Sequence, residues 1–403
     1  MSNSIAFKPV DELLDRLVAQ ENGLPGAIVI ALNRQGRTGD TLYERYAGKT
    51  SLQPDAPPMS AKSVFWLASS TKLLTAVAAM QCVERGLLKL DDPVGSILPE
   101  YSSPQILRGY TKDNKPILQP AKHSITLRQL LTHSSGLSYD VFGLELKEWS
   151  RKTGRTQNQQ SGTLEGLTYP LLFEPGFGWT YGAGLDWAGQ MVERVTGCGS
   201  LEEYFKENIW KPLGLNNTTF RVSSNRDLLD NLVGLINRKP DGSLVPGSHV
   251  PRDATTEIDS GGAGLYGTAQ DFVRIVSEIL NDGGVLLKPE TVQEMFRPQL
   301  DDDQYIHEAL CKSVAGVGLN ISPNFRDSKM KINHGLSFMI NMEPMITGRP
   351  AGTGQYGGAA NTFWWADRNT GVAGVVMAQV MPYGDSKVME VYGSLEECIY
   401  RLD

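Results

Sequence analysis

The sequence Ala68-Ser69-Ser70-Thr71-Lys72-Leu73-Leu74 joins two different patterns. A strand-like apolar run, residues 64–67, precedes it, and a helical pattern over residues 71–85 follows and ends at Gly86. Because Ser69 and Lys72 are three residues apart at the start of this helix, they share one face. A serine hydroxyl becomes a nucleophile when a neighbouring base takes its proton, and a lysine one turn away can do this. The pattern therefore indicates a nucleophile, Ser69, with Lys72 as its proton partner.

The S-x-x-K pattern alone is weak evidence, because Ser328 and Lys331 also fit it. That second copy lies in a polar stretch, residues 326–331, with no apolar helical face behind it. The helix after Ser69 is strongly apolar, so we expect Lys72 to lie beside a core. The alternative interpretation, that Ser69 only caps the helix, stays open, and capping does not exclude catalysis.

Two glycine-rich segments add further candidates. Tyr181 stands in the turn Trp179-Thr180-Tyr181-Gly182-Ala183-Gly184, and its phenol, with an unperturbed pKa of about 10, can carry a proton beside a lysine cation. In the segment 356–363, YGGAANTF, glycines at the start of a strand allow a close approach of the backbone to a ligand. The N–H groups of Ala359 and Ser69 then form a candidate oxyanion hole. The plainer alternatives are a half-buried turn aromatic and a strand bulge.

The order of the predicted elements indicates the fold class. Both chain ends show short strand patterns and one helix each, whereas helical patterns dominate between them. The predicted strands are residues 27–32, 41–47, 335–342, 361–366 and 372–380, and the predicted helices are residues 10–17, 71–85, 126–131, 186–195, 201–209, 269–280 and 386–402. We expect an α/β fold of the α+β type, with an antiparallel sheet from both chain ends flanked by helices. Residues 1–63 plus 299–403 would form the sheet domain, residues 64–298 a mainly helical inserted domain, and the active site would lie between them.

Composition and charge exclude several functions. The chain has 403 residues, of which 40% are hydrophobic, and a net charge of −7, which argues against nucleic-acid binding. No apolar stretch approaches the length of a membrane span, and the N-terminus shows no signal pattern, so we expect a cytoplasmic protein without membrane association. Neither the five histidines nor the four scattered cysteines show metal-ligand spacing, so we expect free thiols and no metal or cofactor. His133, in a tight turn, is expected to be structural.

In their order along the chain, Ser69-x-x-Lys72, Tyr181 and Gly357-Gly358 resemble the serine β-lactamase and penicillin-binding-protein superfamily. The resemblance is closest to the class C β-lactamase-like esterases and transesterases, including fungal enzymes that move a short acyl chain onto a polyketide alcohol. It includes the segments 125–137, ITLRQLLTHSSGL, and 260–265, SGGAGL, and it covers nearly the whole chain in collinear order. It implies a β-lactamase/transpeptidase-like fold.

The resemblance also implies residue roles. Ser69 would be the acylated nucleophile, Lys72 its proton partner, and Tyr181 the general base for the acceptor. The backbone N–H groups of Ser69 and Ala359 would form the oxyanion hole, and Tyr139 would line the pocket. Further substrate-binding candidates are Tyr356, Gly357, Gly358 and Trp364, the last of which is a core candidate as well.

Two departures from β-lactamases indicate a different substrate. Ala183 stands where those enzymes carry asparagine, and Tyr356-Gly357-Gly358 replaces their Lys-Thr-Gly, which removes the cation for a β-lactam carboxylate. We expect a serine acyltransferase of secondary metabolism. Its partners would be an ester or thioester donor, which an acyl-carrier protein can present, and an alcohol or amine acceptor. A carboxylesterase using the same residues and a non-hydrolytic small-molecule-binding protein are the alternatives.

Overall fold

A computed structural model of the chain describes residues 6–34, 40–141, 143–248, 256–301, 303–312 and 330–401. Within these ranges the strands are β1 (Gly26–Asn33), β2 (Asp40–Gly48), β3 (Val64–Trp66), β4 (Gln105–Tyr110), β5 (Pro116–Pro120), β6 (Thr218–Thr219), β7 (Ile236–Arg238), β8 (Leu244–Pro246), β9 (Tyr266–Thr268), β10 (Ile332–His334), β11 (Met339–Asn341), β12 (Gly354–Gly358), β13 (Thr362–Asp367), β14 (Val372–Met377) and β15 (Val380–Met381).

The α-helices of the same ranges are α1 (Lys8–Ala19), α2 (Thr71–Glu84), α3 (Leu127–Leu131), α4 (Leu144–Lys152), α5 (Leu164–Leu167), α6 (Gly184–Thr196), α7 (Leu201–Phe205), α8 (Lys211–Leu213), α9 (Arg226–Asp230), α10 (Ala269–Leu280), α11 (Pro289–Phe296), α12 (Gln304–Lys312) and α13 (Ser386–Tyr400). None of the helices in the described ranges has both the length and the apolar character to cross a membrane.

The largest sheet of the described residues has seven antiparallel strands in the order β10-β11-β12-β13-β14-β1-β2. Its strands come from both chain ends, as the sequence predicts. Helices α1 and α13 cover one face, and α10 covers the opposite face. The division into domains at residues 63 and 298 stays a prediction.

Strand β1 shows why an inner strand of this sheet is apolar at nearly every position. Ile28 and Ile30 belong to the core shared with the central helices, whereas Ala27 and Val29 belong to the core under α1 and α13. Successive side chains of a strand point to opposite faces, so burial of both faces requires apolar residues throughout. The sheet is thus a rigid support for the loops at its ends.

Helix α2 has no exposed face over most of its length. Every residue from Thr71 to Cys82 is buried, including Lys72, which is 0% exposed. The helix packs against α6 inside the central core. A helix that is apolar on all sides belongs in a protein interior, and this position places the Lys72 ammonium group away from water.

Two predicted strands have different boundaries in the structure. The predicted strand 335–342 is too long, because only β11 is extended within it and the chain turns between β10 and β11, where Ser337 has a φ of +85°. Gly357 and Gly358 end β12 rather than begin a strand, and a turn with Asn361 at a φ of +62° leads into β13. A continuous extended strand accommodates neither positive φ angle.

Candidate active site

Ser69 lies in a 3₁₀ turn, Ala68–Ser70, between β3 and α2. Ala68 adopts a φ of +46°, which turns the chain sharply from the strand into the helix. The Leu67 N–H donates to the Leu265 carbonyl at 2.9 Å, so the segment before the serine is anchored to the neighbouring chain. Ser69 itself is partly exposed although most of its surroundings are buried. The structure therefore presents the Ser69 hydroxyl at the head of a buried helix.

Lys72 connects Ser69 with the predicted tyrosine. Its Nζ donates to the Gly262 carbonyl at 2.6 Å, to Tyr181 Oη at 2.7 Å and to Ser69 Oγ at 3.3 Å. The Ser69 and Tyr181 hydroxyl groups are also hydrogen-bonded to each other. Serine, lysine and tyrosine, which are far apart in sequence, thus form a closed triangle through which a proton can pass.

Tyr181 is held by the turn around it. The Gly182 N–H donates to His133 Nδ1 at 3.3 Å, and Ser138 Oγ donates to the Tyr181 carbonyl at 3.2 Å. A Cβ at Gly182 would lie 2.2 Å from the Leu137 carbonyl oxygen, so this close approach requires glycine. The turn fixes the phenol position without using a helix face.

His133 is part of this support. Burial, together with the neighbouring His334 and Lys72, lowers the pKa of His133 well below its ordinary value, so the ring is neutral. Since Nδ1 accepts from Gly182, the ring proton is assigned to Nε2, which lies 3.5 Å from Tyr356 Oη. These contacts agree with the structural role expected for this histidine.

The end of β12 forms the other side of the site. A Cβ at Gly358 would lie 2.2 Å from the Leu67 carbonyl oxygen and 3.1 Å from Ala68 Cβ, so this glycine packs directly on the segment before Ser69. Ser70 Oγ donates to the Thr362 carbonyl at 2.7 Å and ties β13 to the same segment. Ala359, the next residue after β12, is partly exposed. Its predicted place in an oxyanion hole remains a proposal that this packing supports.

The predicted substrate-binding residues occupy different surroundings. Tyr139 is 5% exposed, and its Oη donates to Asp186 at 2.6 Å. Tyr356 lies with its ring 6.4 Å from the Tyr181 ring, between centroids, and burial raises its pKa well above the ordinary value. Gly357 packs on the Phe363 ring. Trp364 is 1% exposed and packs against Phe338 in the core, where it offers no face to a substrate.

Sequence reasoning assigned no role to two further residues at this site, Asp186 and Gly262. The Gly262 carbonyl accepts from Lys72, and the Gly262 N–H donates to Asp186 Oδ1 at 3.0 Å. The sequence did contain one signal for Asp186, an acidic residue in the first turn of an apolar helix. Aspartate is rarely buried without partners, so such a position points to polar groups around it. No group of three or more His, Cys, Asp or Glu residues within the described ranges is arranged to hold a metal ion.

Residues 10–394 match the Beta-lactamase family. The chain belongs to the β-lactamase family. Among curated proteins it is similar to the lovastatin esterase of Penicillium rubens, with 36% identity over 93% of this chain and 94% of that protein. It is also similar to the monacolin J acid methylbutanoyltransferase of Aspergillus terreus, with 32% identity over 96% of this chain and 94% of that protein.

The structure resembles unliganded simvastatin synthase (LovD) from Aspergillus terreus, with a TM-score of 0.87 and 30% identity over 98% of both chains. The predicted β-lactamase/transpeptidase-like fold and the predicted resemblance to fungal transesterases are therefore confirmed. Its relatives in the β-lactamase family include esterases and acyltransferases, and the chain is an enzyme of that class. The prediction that the chain is an acyltransferase or an esterase is therefore confirmed.

Proposed function

We propose that this enzyme is a serine acyltransferase that carries an acyl group on Ser69 from an ester or thioester donor to a small-molecule alcohol. The main support for this proposal is the triangle of hydrogen bonds that joins Ser69, Lys72 and Tyr181 at the N-terminal end of α2. The hydroxyl that would be acylated has two proton-carrying groups within hydrogen-bond distance. The named relatives, an esterase and a methylbutanoyltransferase, support acyl chemistry at such a site.

In the first step, Ser69 Oγ attacks the acyl carbonyl carbon and its proton moves to the phenolate form of Tyr181, which the Lys72 ammonium group stabilises. The negative charge that develops on the carbonyl oxygen is received by the N–H groups of Ser69 and Ala359. The tetrahedral intermediate then expels the donor's alkoxide or thiolate, which takes up the proton. An ester bond joins the acyl group to Ser69, and the donor leaves as an alcohol or thiol.

In the second step, the hydroxyl of the acceptor binds beside Tyr181, which takes its proton as the oxygen attacks the acyl carbon. Collapse of the second tetrahedral intermediate breaks the bond to Ser69 Oγ, and the proton returns to the serine. The product is a new ester, and the enzyme is regenerated without a metal or cofactor in any step. The acceptor class that we propose is an alcohol such as monacolin J acid, on which a relative acts.

Hydrolysis is the second candidate, because the lovastatin esterase is as similar as the acyltransferases. The two reactions share the acyl-enzyme and differ in whether water reaches it before the acceptor. A protein that binds small molecules without acyl chemistry would form no acyl-enzyme, which separates that third alternative from both enzymes.

A partition experiment distinguishes the candidates. The protein is incubated with a butanoyl thioester, with and without monacolin J, and both the ester product and the free acid are quantified. We expect the ester to exceed the free acid when the alcohol is present, since a transferase excludes water from the waiting acyl group. If free acid forms at the same rate with and without the alcohol and no ester is detected, the enzyme is a hydrolase instead.

A carrier-bound donor is tested by the same measurement. The butanoyl group is presented once on a small thiol and once on an acyl-carrier protein, at equal concentration. A higher kcat/KM for the carrier-bound group supports docking of a carrier protein, and equal values for the two donors argue against it.

A further inference from the structure

Asp186 is a buried carboxylate whose described hydrogen-bond partners are all uncharged. It lies in the first turn of α6 and is 1% exposed. Tyr139 Oη donates to Oδ2 at 2.6 Å, while Ser260 Oγ and the Gly262 N–H donate to Oδ1 at 2.6 Å and 3.0 Å. Burial of a carboxylate costs free energy unless hydrogen bonds and a nearby cation compensate for it. The hydrogen bonds are present, and a buried cation also lies nearby.

That cation is the buried ammonium group of Lys72. Gly262 joins the two charges, because its N–H binds Asp186 and its carbonyl accepts from Lys72 Nζ at 2.6 Å. The Tyr139 ring, whose hydroxyl binds Asp186, has its centroid 5.7 Å from Lys72 Nζ. The carboxylate and the ammonium group are thus separated by one residue and one ring rather than joined in a direct ion pair.

A side chain at position 262 would displace the groups that lie between the two charges. A Cβ at Gly262 would lie 2.4 Å from Asp186 Oδ2 and 2.5 Å from Tyr139 Oη. Thr75 Oγ1 donates to the Gly261 carbonyl at 2.7 Å and fixes the same loop to α2. The segment Ser260–Leu265, which resembles a family signature, therefore links Asp186 to the lysine through Gly262.

We propose that Asp186 is a positioning residue for proton transfer, which fixes Lys72 through Gly262 and supplies the buried negative charge that favours the protonated lysine. The proposal rests on the proposed function, because it concerns the proton carriers of that reaction. A negative charge near the Lys72–Tyr181 pair makes removal of a proton from the pair harder. Loss of the Asp186 charge should therefore make removal of that proton easier.

Other titratable groups lie on the elements packed around the pair. They are His133, Tyr139 and Asp140 in the loop after α3, Asp259 in the loop before β9, His334 on β10, Tyr356 on β12 and Tyr383 after β15. Burial lowers the pKa of both histidines and raises the pKa of Tyr139, Tyr356 and Tyr383, so these groups are uncharged at neutral pH. Asp259 is paired with Arg221 at 2.8 Å. Asp186 is therefore linked to Lys72 through one residue, Gly262, whereas no described hydrogen bond gives Asp140 or Asp259 such a link.

The test is the pH dependence of kcat/KM for p-nitrophenyl butanoate in Asp186→Asn. An asparagine can keep the hydrogen bonds, because its Oδ1 accepts from Ser260 and Gly262 and its amide donates to Tyr139 Oη. We expect the limb that reports deprotonation of the Lys72–Tyr181 pair to move by about one unit to lower pH. We also expect kcat/KM at its optimum to fall about 10–100-fold.

Ser260→Ala is the matched control, since it removes one hydrogen bond from Asp186 and leaves the charge. Its pH limb should stay at the wild-type position. Asp186→Ser, which is also uncharged, should reproduce the acid shift if the asparagine variant does not fold. If a folded, uncharged variant kept the pH limb of kcat/KM at the wild-type position, the proposal would be overturned. Asp186 would then have a structural role only. Acylation of Ser69 in the wild-type protein is scored separately, so failure of the proposed function would be recognised.

Discussion

Replacement of Ser69 by alanine is expected to abolish acyl transfer and hydrolysis, with a loss of at least about 10⁴-fold in kcat. The variant removes the oxygen that would carry the acyl group, and the proposed roles of Lys72 and Tyr181 are to move the proton of that oxygen. The fold should be unaffected, because Ser69 is partly exposed and lies in a short 3₁₀ turn. Turnover of a thioester donor and the thermal unfolding temperature are measured together.

The second S-x-x-K sequence in the chain provides a matched control. Ser328 lies outside the residues that the structure describes, and its replacement by alanine should leave turnover at the wild-type rate. If Ser69→Ala kept wild-type turnover, or if Ser328→Ala abolished it, the nucleophile would be assigned to the wrong residue.

The second large effect is expected for Lys72→Met. Methionine has a similar length and fits a buried site without the charge, so the packing of α2 is largely kept. The variant removes the group that donates to both Ser69 and Tyr181. We expect kcat/KM for acylation to fall about 10³–10⁴-fold, which corresponds to about 4–5 kcal/mol of lost transition-state stabilisation.

Stability should respond less than activity. The variant removes the cost of a buried ammonium group, but it leaves the Gly262 carbonyl without its partner, which costs about 1–3 kcal/mol, and it leaves the buried Asp186 carboxylate without its nearby cation. Because the first effect offsets only part of the other two, we expect the free energy of unfolding to fall by about 1–3 kcal/mol. Lys331→Met, from the other S-x-x-K sequence, is the control, since Lys331 is exposed. A Lys72→Met enzyme within tenfold of wild type would contradict the role of the lysine.

The strand and helix patterns of the sequence indicated the fold because burial on this scaffold follows simple periodicities. Both faces of the sheet are covered, so β1 and β14 are continuous apolar runs, and the long helix α13 has a clear helical pattern. The failures occurred where single residues adopt positive φ angles, at Ser337 and Asn361. A positive φ angle is usually indicated by glycine or asparagine in the sequence, and serine gives no such indication. The turn at Ser337, between β10 and β11, therefore could not be predicted.

The order of motifs along the chain indicated candidate catalytic residues, whereas the contacts between them became visible only in the structure. The spacing of Ser69 and Lys72 placed them on one helical turn, whereas a position of Tyr181 at the same oxygen was expected only from the family resemblance. Trp364 could not be assigned to core or pocket, because a tryptophan on a strand fits both. Asp186 was overlooked since its significance depends on a loop that is more than 70 residues away in the sequence.

The most direct test of the account is the location of the acyl group during turnover. The protein is mixed with a butanoyl thioester in the absence of an acceptor, quenched in acid within the first turnover, digested and analysed by mass spectrometry. We predict one added butanoyl group, on the peptide that contains Ser69, which disappears when an alcohol acceptor is supplied before the quench. Continued product formation with no acyl-peptide at any time, or an adduct on another residue whose replacement stops turnover, would contradict the acyl-Ser69 intermediate.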